Sequence, residues 1–362
     1  MYEQLGFETL SPLAASAIFG VLVGIAFGVV AQRSRFCLRR ALVEADTAER
    51  ASARSVWLAA LLTAIASTQL SVYAGWLEFS AHRFHETTLP LVSIVIGGLL
   101  FGTGMILTRG CASRLSVLAG SGNLRALTVL LVFAVAAHAT LKGVLAPARA
   151  LLSQFTVPSE LPALITGSTL IPLIAGAAAF TIVAFMWIAR PEFRRAMVGG
   201  IIIGLLVAVS WVGTGLVLQD DFDPIVFQSL SFTSSGSEWL FWSIASTSIG
   251  AGFGVGLFSG VLLGSALSSL SRSEFRWESF ESAGQTGRYF GGAVLMGAGG
   301  VLAGGCTVGA GLSGISTLSL SALLALGSII AGAIATDKLL SRSPRTDSSV
   351  SHEPVMRATS AR

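Results

Sequence analysis

Residues 100–111 read LFGTGMILTRGC, and residues 295–306 read LMGAGGVLAGGC. Both stretches are apolar and rich in glycine, and both end in the dipeptide Gly-Cys. Gly-rich stretches can look alike simply because both serve close helix packing. Packing alone does not explain why a cysteine ends each stretch. The match therefore favours two copies of one unit, a Gly-rich helix that ends in a Gly-Cys loop.

The composition around these two stretches indicates a membrane protein. Of the 362 residues, 53% are hydrophobic and 12% are charged, whereas soluble proteins carry about 25% charged residues. A membrane-spanning helix needs roughly 20 apolar residues. We predict an all-α polytopic membrane protein with about nine spans, at Pro12–Gln32, Ser55–Trp76, Leu89–Thr108, Ala126–Leu141, Pro172–Ala189, Ala196–Leu218, Leu240–Ser268, Tyr289–Ala303 and Ser316–Thr336.

The distribution of basic residues predicts the orientation. If the N-terminus lies outside, only Arg83, Lys142 and Arg149 of the 23 Lys and Arg residues fall on the outer side. Inner loops of membrane proteins carry such an excess of positive charge. We therefore expect a bacterial inner-membrane protein with residues 1–340 as the transport domain. Residues 341–362, rich in Ser, Arg, Thr and Pro, are expected to form a disordered cytoplasmic tail.

Nine spans would make the helices that end in Gly-Cys run in opposite directions. Inverted repeats of transporters have this relation, so we expect pseudo-repeats at about 12–145 and 196–336. Half-length or re-entrant segments that meet near the membrane centre would form an hourglass constriction. Irregular backbone is tolerated there only where protein buries it or where it lines a cavity.

The Gly-Cys loops have features that suit an anion. A helix that starts at Cys111 or Cys306 has free backbone N–H groups in its first turn. These groups and the helix dipole attract negative charge. Gly110 and Gly305 permit close approach of the backbone to a ligand, and a thiol is a small, weak donor that suits a soft sulfur atom.

A third cysteine lies in the segment QRSRFCLRRA, residues 32–41. The arginines around Cys37 are explained by membrane topology, and Cys37 alone would be read as a small core residue. Because the other two cysteines end Gly-rich loops, we favour a position on the same pathway. Three widely spaced cysteines do not indicate a disulfide framework or a metal site. No nucleotide-binding fingerprint is present, and we expect no cofactor.

Three motifs resemble the YeeE/YedE family of sulfur-compound transporters: RSRFC at 33–37, GTGMILTRGCASR at 102–114 and GGCTVGAGLSG at 304–314. The resemblance implies a thiosulfate uptake protein of hourglass shape. It also implies that the anion passes Cys37, Cys111 and Cys306 through transient S–H···S contacts. Some members of the family work beside a small sulfur-carrier protein of the TusA type, which makes such a carrier a possible cytoplasmic partner here.

Our first hypothesis is a transporter, not an enzyme, that carries thiosulfate or a related small sulfur anion. A membrane thiol enzyme with a persulfide on Cys37 is the alternative, because neighbouring arginines activate a thiol. A metal-ion transporter has little support, since no acidic residue or His accompanies the Gly-Cys loops. The residues expected to bind the anion are Cys37, Cys111, Cys306, Arg109, Gly110, Ser113, Arg114, Gly305 and Thr307.

Overall fold

The computed structural model describes residues 10–159, 168, 170–220, 222–280 and 282–342. These residues are mostly helical, which confirms the predicted all-α class. The helices are α1 (Pro12–Ser34), α2 (Leu38–Val43), α3 (Thr47–Tyr73), α4 (Leu91–Leu107), α5 (Ala112–Gly120), α6 (Leu124–Lys142), α7 (Ala146–Ser153), α8 (Leu170–Ala189), α9 (Arg194–Val212), α10 (Phe232–Ala245), α11 (Phe253–Ser271), α12 (Ala283–Leu302) and α13 (Leu320–Arg342).

Short elements connect the helices. A two-residue strand β1 (Thr88–Leu89) pairs antiparallel with β2 (Val157–Pro158). Short 3₁₀ turns occupy Arg83–His85 and Pro191–Phe193. Two π-helical segments occupy Gly213–Val217 and Gly309–Gly314. Segments of π-helix are rare overall, and those that occur are often found at functional sites. The second segment directly follows the Cys306 loop.

The helices have the length and composition of membrane spans. Among the described residues, eight helical stretches are apolar and long enough to cross a bilayer: Pro12–Val43, Thr47–Tyr73, Leu91–Gly120, Leu124–Lys142, Leu170–Ala189, Pro191–Val217, Phe253–Ser271 and Leu320–Arg342. Helix α12 has a similar length, but polar residues such as Gln285 and Arg288 in its first turns lower its hydropathy. The chain is a multi-pass membrane protein.

Two predicted boundaries are wrong. The span predicted at Leu240–Ser268 is interrupted, because α10 ends at Ala245 and α11 begins at Phe253. The segment between them reads STSIGAG, and its hydroxyl side chains and glycines favour turns over helix. At the other end, α13 continues through Ser341 and Arg342, where the tail was expected to begin. The rest of the predicted disordered tail, residues 343–362, lies outside the described residues.

Helices from the two ends of the chain pack against each other. Helix α1 packs along α11, and α9 packs along α3. Likewise α4 packs against α13, α12 packs against α6, and α4 and α12 contact each other. The N-terminal and C-terminal parts of the chain therefore form one body, and the two Gly-Cys loops lie at the ends of the central pair, α4 and α12.

Glycines allow α1 and α11 to approach closely. Each of the two helices contributes three glycines to the contact, and a Cβ atom at any of them would clash with the backbone of the opposite helix. At Gly260, for example, it would meet the Val21 carbonyl oxygen. Small residues spaced four apart are a common way for membrane helices to pack. The glycines of this contact are Gly20, Gly24 and Gly28 on α1 and Gly256, Gly260 and Gly264 on α11.

We expect Gly260→Ala to destabilise the protein by about 1–3 kcal/mol, because the new methyl group forces the two backbones apart. The measurement is the thermal unfolding midpoint in detergent. Gly327→Ala is the matched control, since a Cβ at this α13 position meets nothing within 4 Å and alanine favours helix. If both variants unfolded at the same temperature, the glycines would not be needed for the close packing of α1 and α11.

Candidate functional site

The two Gly-Cys segments have the same backbone turn. Thr108 donates its N–H to the Gly104 carbonyl oxygen at 2.9 Å, and Ala303 donates to the Gly299 oxygen at 2.9 Å. The next residue is left-handed in both turns, with φ 57° at Arg109 and φ 76° at Gly304. The sequence match between the two stretches therefore extends to the path of the chain.

Glycine is required at one of the two positions before the cysteines. A Cβ at Gly305 would lie 2.7 Å from the Ala310 backbone nitrogen, which is too close for any side chain. A Cβ at Gly110 would meet the side chains of Leu115, at 3.4 Å, and Arg114, at 3.8 Å, which are ordinary contact distances. Gly305 thus lets the chain fold tightly onto the following π-helical segment, whereas Gly110 is not crowded by protein.

Cys111 lies where the two loops meet. It is buried, at 1% exposure, and it is the residue from which α5 begins. Its Sγ lies 3.2 Å from the Ser113 hydroxyl oxygen, and its thiol also interacts with the side chain of Thr307. Since Thr307 directly follows Cys306, this interaction links the first Gly-Cys loop to the second.

Cys37 lies beside Cys111. It is buried and starts the short helix α2, and its thiol interacts with the Cys111 thiol. Cys37 belongs to neither Gly-Cys repeat, so the repeat could not predict that Cys37 and Cys111 are neighbours. The structure therefore joins the third motif of the sequence to the first Gly-Cys loop.

Backbone amides surround Cys306. Its Sγ accepts hydrogen bonds from the amide of Phe232, at 3.4 Å, and from the amide of Gly309, at 3.3 Å. Phe232 is the first residue of α10, so the N-terminal end of that helix points at the sulfur. These two amides are bonded to the sulfur, so they are not the free N–H groups expected of a helix that starts at Cys306, and one of them comes from a helix that the sequence did not link to the loop.

Above Cys306 lies an open cavity of about 420 Å³, here called the Arg83 cavity. Gly309 and Ser231 are in its wall, and both adjoin the amides that bind Cys306. The cavity also contains charged and polar groups from the loop after α3, from the loop before α10 and from α10 itself, namely His82, Arg83, Gln228, Ser234 and Glu238. Cys306 itself does not line the cavity, but Gly309, whose amide binds the Cys306 sulfur, does.

Arg114 and Arg109 have different surroundings. The Arg114 guanidinium interacts with Cys37 and Cys111, and its buried Nη1 has no hydrogen-bond partner among the described residues. Arg109 is exposed. Of the two arginines predicted to bind an anion, Arg114 is the one that the structure brings to the thiols.

Sequence reasoning missed the residues of the Arg83 cavity. One signal was present, because Arg83 is among the three basic residues that charge counting leaves on the outer side. No sequence pattern linked Arg83 to Glu238, which follows it by more than 150 residues. No group of three or more His, Cys, Asp or Glu residues within the described ranges could hold a metal ion.

A family model described as "Sulphur transport" matches residues 33–335. The chain belongs to this family. The match covers all three cysteine motifs and confirms the resemblance to the YeeE/YedE proteins. In this chain, the matched region begins at the RSRFC motif and ends in α13, so it includes the helices that form the site.

Two relatives carry the name thiosulfate transporter TsuA. The protein from Spirochaeta thermophila is 25% identical over 329 residues, which cover 84% of this chain and 93% of the relative. The protein from Escherichia coli K12 is 26% identical over 325 residues, or 81% of this chain and 86% of the relative. Both are named as transporters, in agreement with the expectation that this chain is not an enzyme.

We expect mild oxidation to join Cys37 to Cys111 and to leave Cys306 as a free thiol, because only the first two thiols are neighbours. The measurement is mass spectrometry of the purified protein after treatment with copper phenanthroline, with and without reduction. Cys111→Ser serves as the control and should abolish the cross-link. A disulfide that contains Cys306 in the wild-type protein would contradict this geometry.

Proposed function

We propose that this protein takes up thiosulfate, or a closely related small sulfur anion, along a central pathway past Cys306, Cys111 and Cys37. The family and the names of the relatives support a sulfur anion as the substrate. The observation that carries the pathway is the continuous series of contacts from the Arg83 cavity through Cys306 and Thr307 to Cys111 and Cys37.

The chemistry of thiosulfate fits this series of groups. The ion is a dianion with one soft terminal sulfur atom, and its charge is costly to remove from water without new partners. The buried start of α5, which no side chain caps, offers backbone amides and the positive end of a helix dipole. The thiols can donate S–H to the soft sulfur while neutral, whereas thiolates would repel the ion.

Arg114 adds a charge to this pathway. A buried guanidinium is costly unless an anion pairs with it, and the described residues hold no close acidic partner for Arg114. Arg40, its neighbour, is instead paired with Glu44 at 3.5 Å and with Glu49 at 2.8 Å. In the proposed pathway, the passing anion is the transient partner of Arg114.

The proposed orientation follows the distribution of charge. With the N-terminus outside and the C-terminus in the cytoplasm, the Arg83 cavity opens outward and Arg114 lies toward the inner face of the bacterial inner membrane. The paired packing of α1 with α11 and of α3 with α9 supports the two pseudo-repeats. A TusA-type sulfur carrier on the cytoplasmic side would suit an anion released beside Arg114.

A membrane thiol enzyme remains the second candidate because Cys37 and Cys111 are neighbours. The Cys37 thiolate could attack the terminal sulfur of thiosulfate, break its S–S bond and release sulfite, which leaves a persulfide; attack by Cys111 would then release hydrosulfide and leave a Cys37–Cys111 disulfide. The names of the relatives favour transport. Mass spectrometry after exposure to thiosulfate separates the two: a stable persulfide on Cys37 would support the enzyme.

We expect Cys111→Ala and Cys306→Ala to reach the membrane but to lose most thiosulfate uptake. Each change removes one small buried group and should cost roughly 1 kcal/mol of stability. Uptake of labelled thiosulfate, normalised to protein in the membrane, is the measurement. Serine keeps the size and a donor but not the soft sulfur, so Cys→Ser should also fail if S–H···S contacts carry the ion.

Near-normal uptake by both alanine variants would refute the cysteine pathway. Cys37→Ala is expected to reduce uptake as well, because its thiol adjoins Cys111. A serine variant that transports as well as wild type would show that the site needs only a small polar donor.

We expect Arg114→Gln to reduce uptake about tenfold or more, since a charged hydrogen bond contributes about 1.5–3 kcal/mol. Arg109→Gln is the matched control: it removes the same charge from the loop just before α5, at an exposed position, and should have the smaller effect. Both variants are compared at equal protein level in the membrane. A larger loss in Arg109→Gln would assign the anion to the exposed arginine instead.

A further inference from the structure

The Arg83 cavity contains groups of both signs. Arg83 and Glu238 both line it, and their charges attract each other. Among the described residues, Glu238 forms no close ion pair. Glu238 also lines an adjacent cavity of about 250 Å³ together with Lys142. The carboxyl group thus lies in the wall between two cavities, with a basic residue in each.

A carboxylate in this position opposes the entrance of an anion. With Glu238 ionised, its charge cancels that of Arg83, and an incoming dianion meets no net attraction. With Glu238 protonated, the positive charge of Arg83 remains and the repulsion is gone. Arg83 and Glu238 are both exposed to this open cavity, where water screens their charges in part. A dianion bound against Glu238 still experiences its charge at short range, so the protonation state of Glu238 affects how tightly the dianion binds.

We propose that Glu238 takes up a proton when a sulfur dianion binds in the Arg83 cavity, so that proton and anion enter together. The proton comes from the water that fills the cavity, and no bond of the anion is broken. Because binding free energies are reciprocal, the anion raises the proton affinity of Glu238 as much as the proton raises the affinity for the anion. This inference rests on the proposed function.

The surroundings of Glu238 shift its pKa in the direction that the proposal requires. Although the residue is exposed to the cavity, partial withdrawal from bulk water raises its pKa above the ordinary value, and the charges of Arg83 and Lys142 oppose that rise. Helix α10, which carries Glu238, packs against α6, α11, α5 and α12. Of these, α11 contains no charged residue or His, and α12 contacts α10 through Gly300, about three turns from Arg288. The other two helices contain charged or titratable residues, which are Arg114 on α5 and Arg125, His138 and Lys142 on α6.

Two histidines lie close enough to be considered as alternative proton sites. Burial, together with the charges of Arg83 and His85, lowers the pKa of His82 to about 4, so His82 is neutral at pH 5 and above. His138 on α6 lies 3.0 Å from the Ser237 hydroxyl through its Nδ1, one residue from Glu238. His138 therefore has to be tested beside Glu238.

The test is the affinity of the purified full-length protein for thiosulfate, measured by calorimetry at several pH values between about 5 and 8. Thiosulfate itself remains a dianion in this range. If one proton binds with each anion, the wild-type affinity should fall by up to about tenfold per pH unit above the pKa of Glu238. Glu238→Gln mimics the protonated acid and should bind equally well at every pH.

Two control variants should keep the pH dependence of the wild type. Glu86→Gln removes another carboxylate whose charge acts on Arg83 but which does not line the Arg83 cavity. His138→Gln removes the alternative proton site. Glu238→Asp retains a carboxyl group and should retain the pH dependence with a shifted midpoint, which tests the proposal if Glu238→Gln folds poorly.

The outcomes separate the two claims. The same pH dependence in wild type and Glu238→Gln, or its loss in Glu238→Asp or His138→Gln, would overturn the role of Glu238. Failure of the wild-type protein to bind thiosulfate at any pH would instead refute the proposed function, whatever the variants do.

Discussion

A sulfur dianion cannot cross an apolar layer unless the protein replaces its water, and the groups that replace the water must themselves be held in place. In the proposed pathway those groups are mostly parts of the backbone. Amides at the starts of α5 and α10 and within the Cys306 loop adjoin the thiols. Helix starts are where a membrane protein can offer free N–H groups without breaking its secondary structure.

Close packing of the helices makes this arrangement possible. The glycines of α1 and α11 bring those helices into backbone contact, and Gly104 and Gly292 do the same for the central pair, α4 and α12. With so little room taken by side chains, the loops at the ends of α4 and α12 can reach each other. The loops contact each other through Thr307 and Cys111. More widely spaced helices would hold the two loops apart.

The sequence predicted local features well and long-range ones poorly. Apolar length and Gly-Cys endings are properties of short stretches, so most helices and both turns could be anticipated. The contact of Cys37 with Cys111, and the placing of Arg83 and Glu238 in one cavity, depend on how distant segments pack. Sequence spacing could not show which of Arg109 and Arg114 reaches the thiols. The left-handed turn at Arg109 leaves its side chain exposed, whereas α5 carries Arg114 toward the thiols.

The three cysteines are not equivalent along the proposed pathway. The Cys306 sulfur already accepts two backbone hydrogen bonds, so its S–H is left as a donor for an arriving sulfur atom. Cys37 and Cys111 interact with each other, so an anion that passes between them must replace that interaction with its own. Arg114 lies beside this pair, and its charge offsets the cost of separating the thiols. In the proposed pathway, the partly buried Arg114 is thus needed most where the thiols are least free to donate.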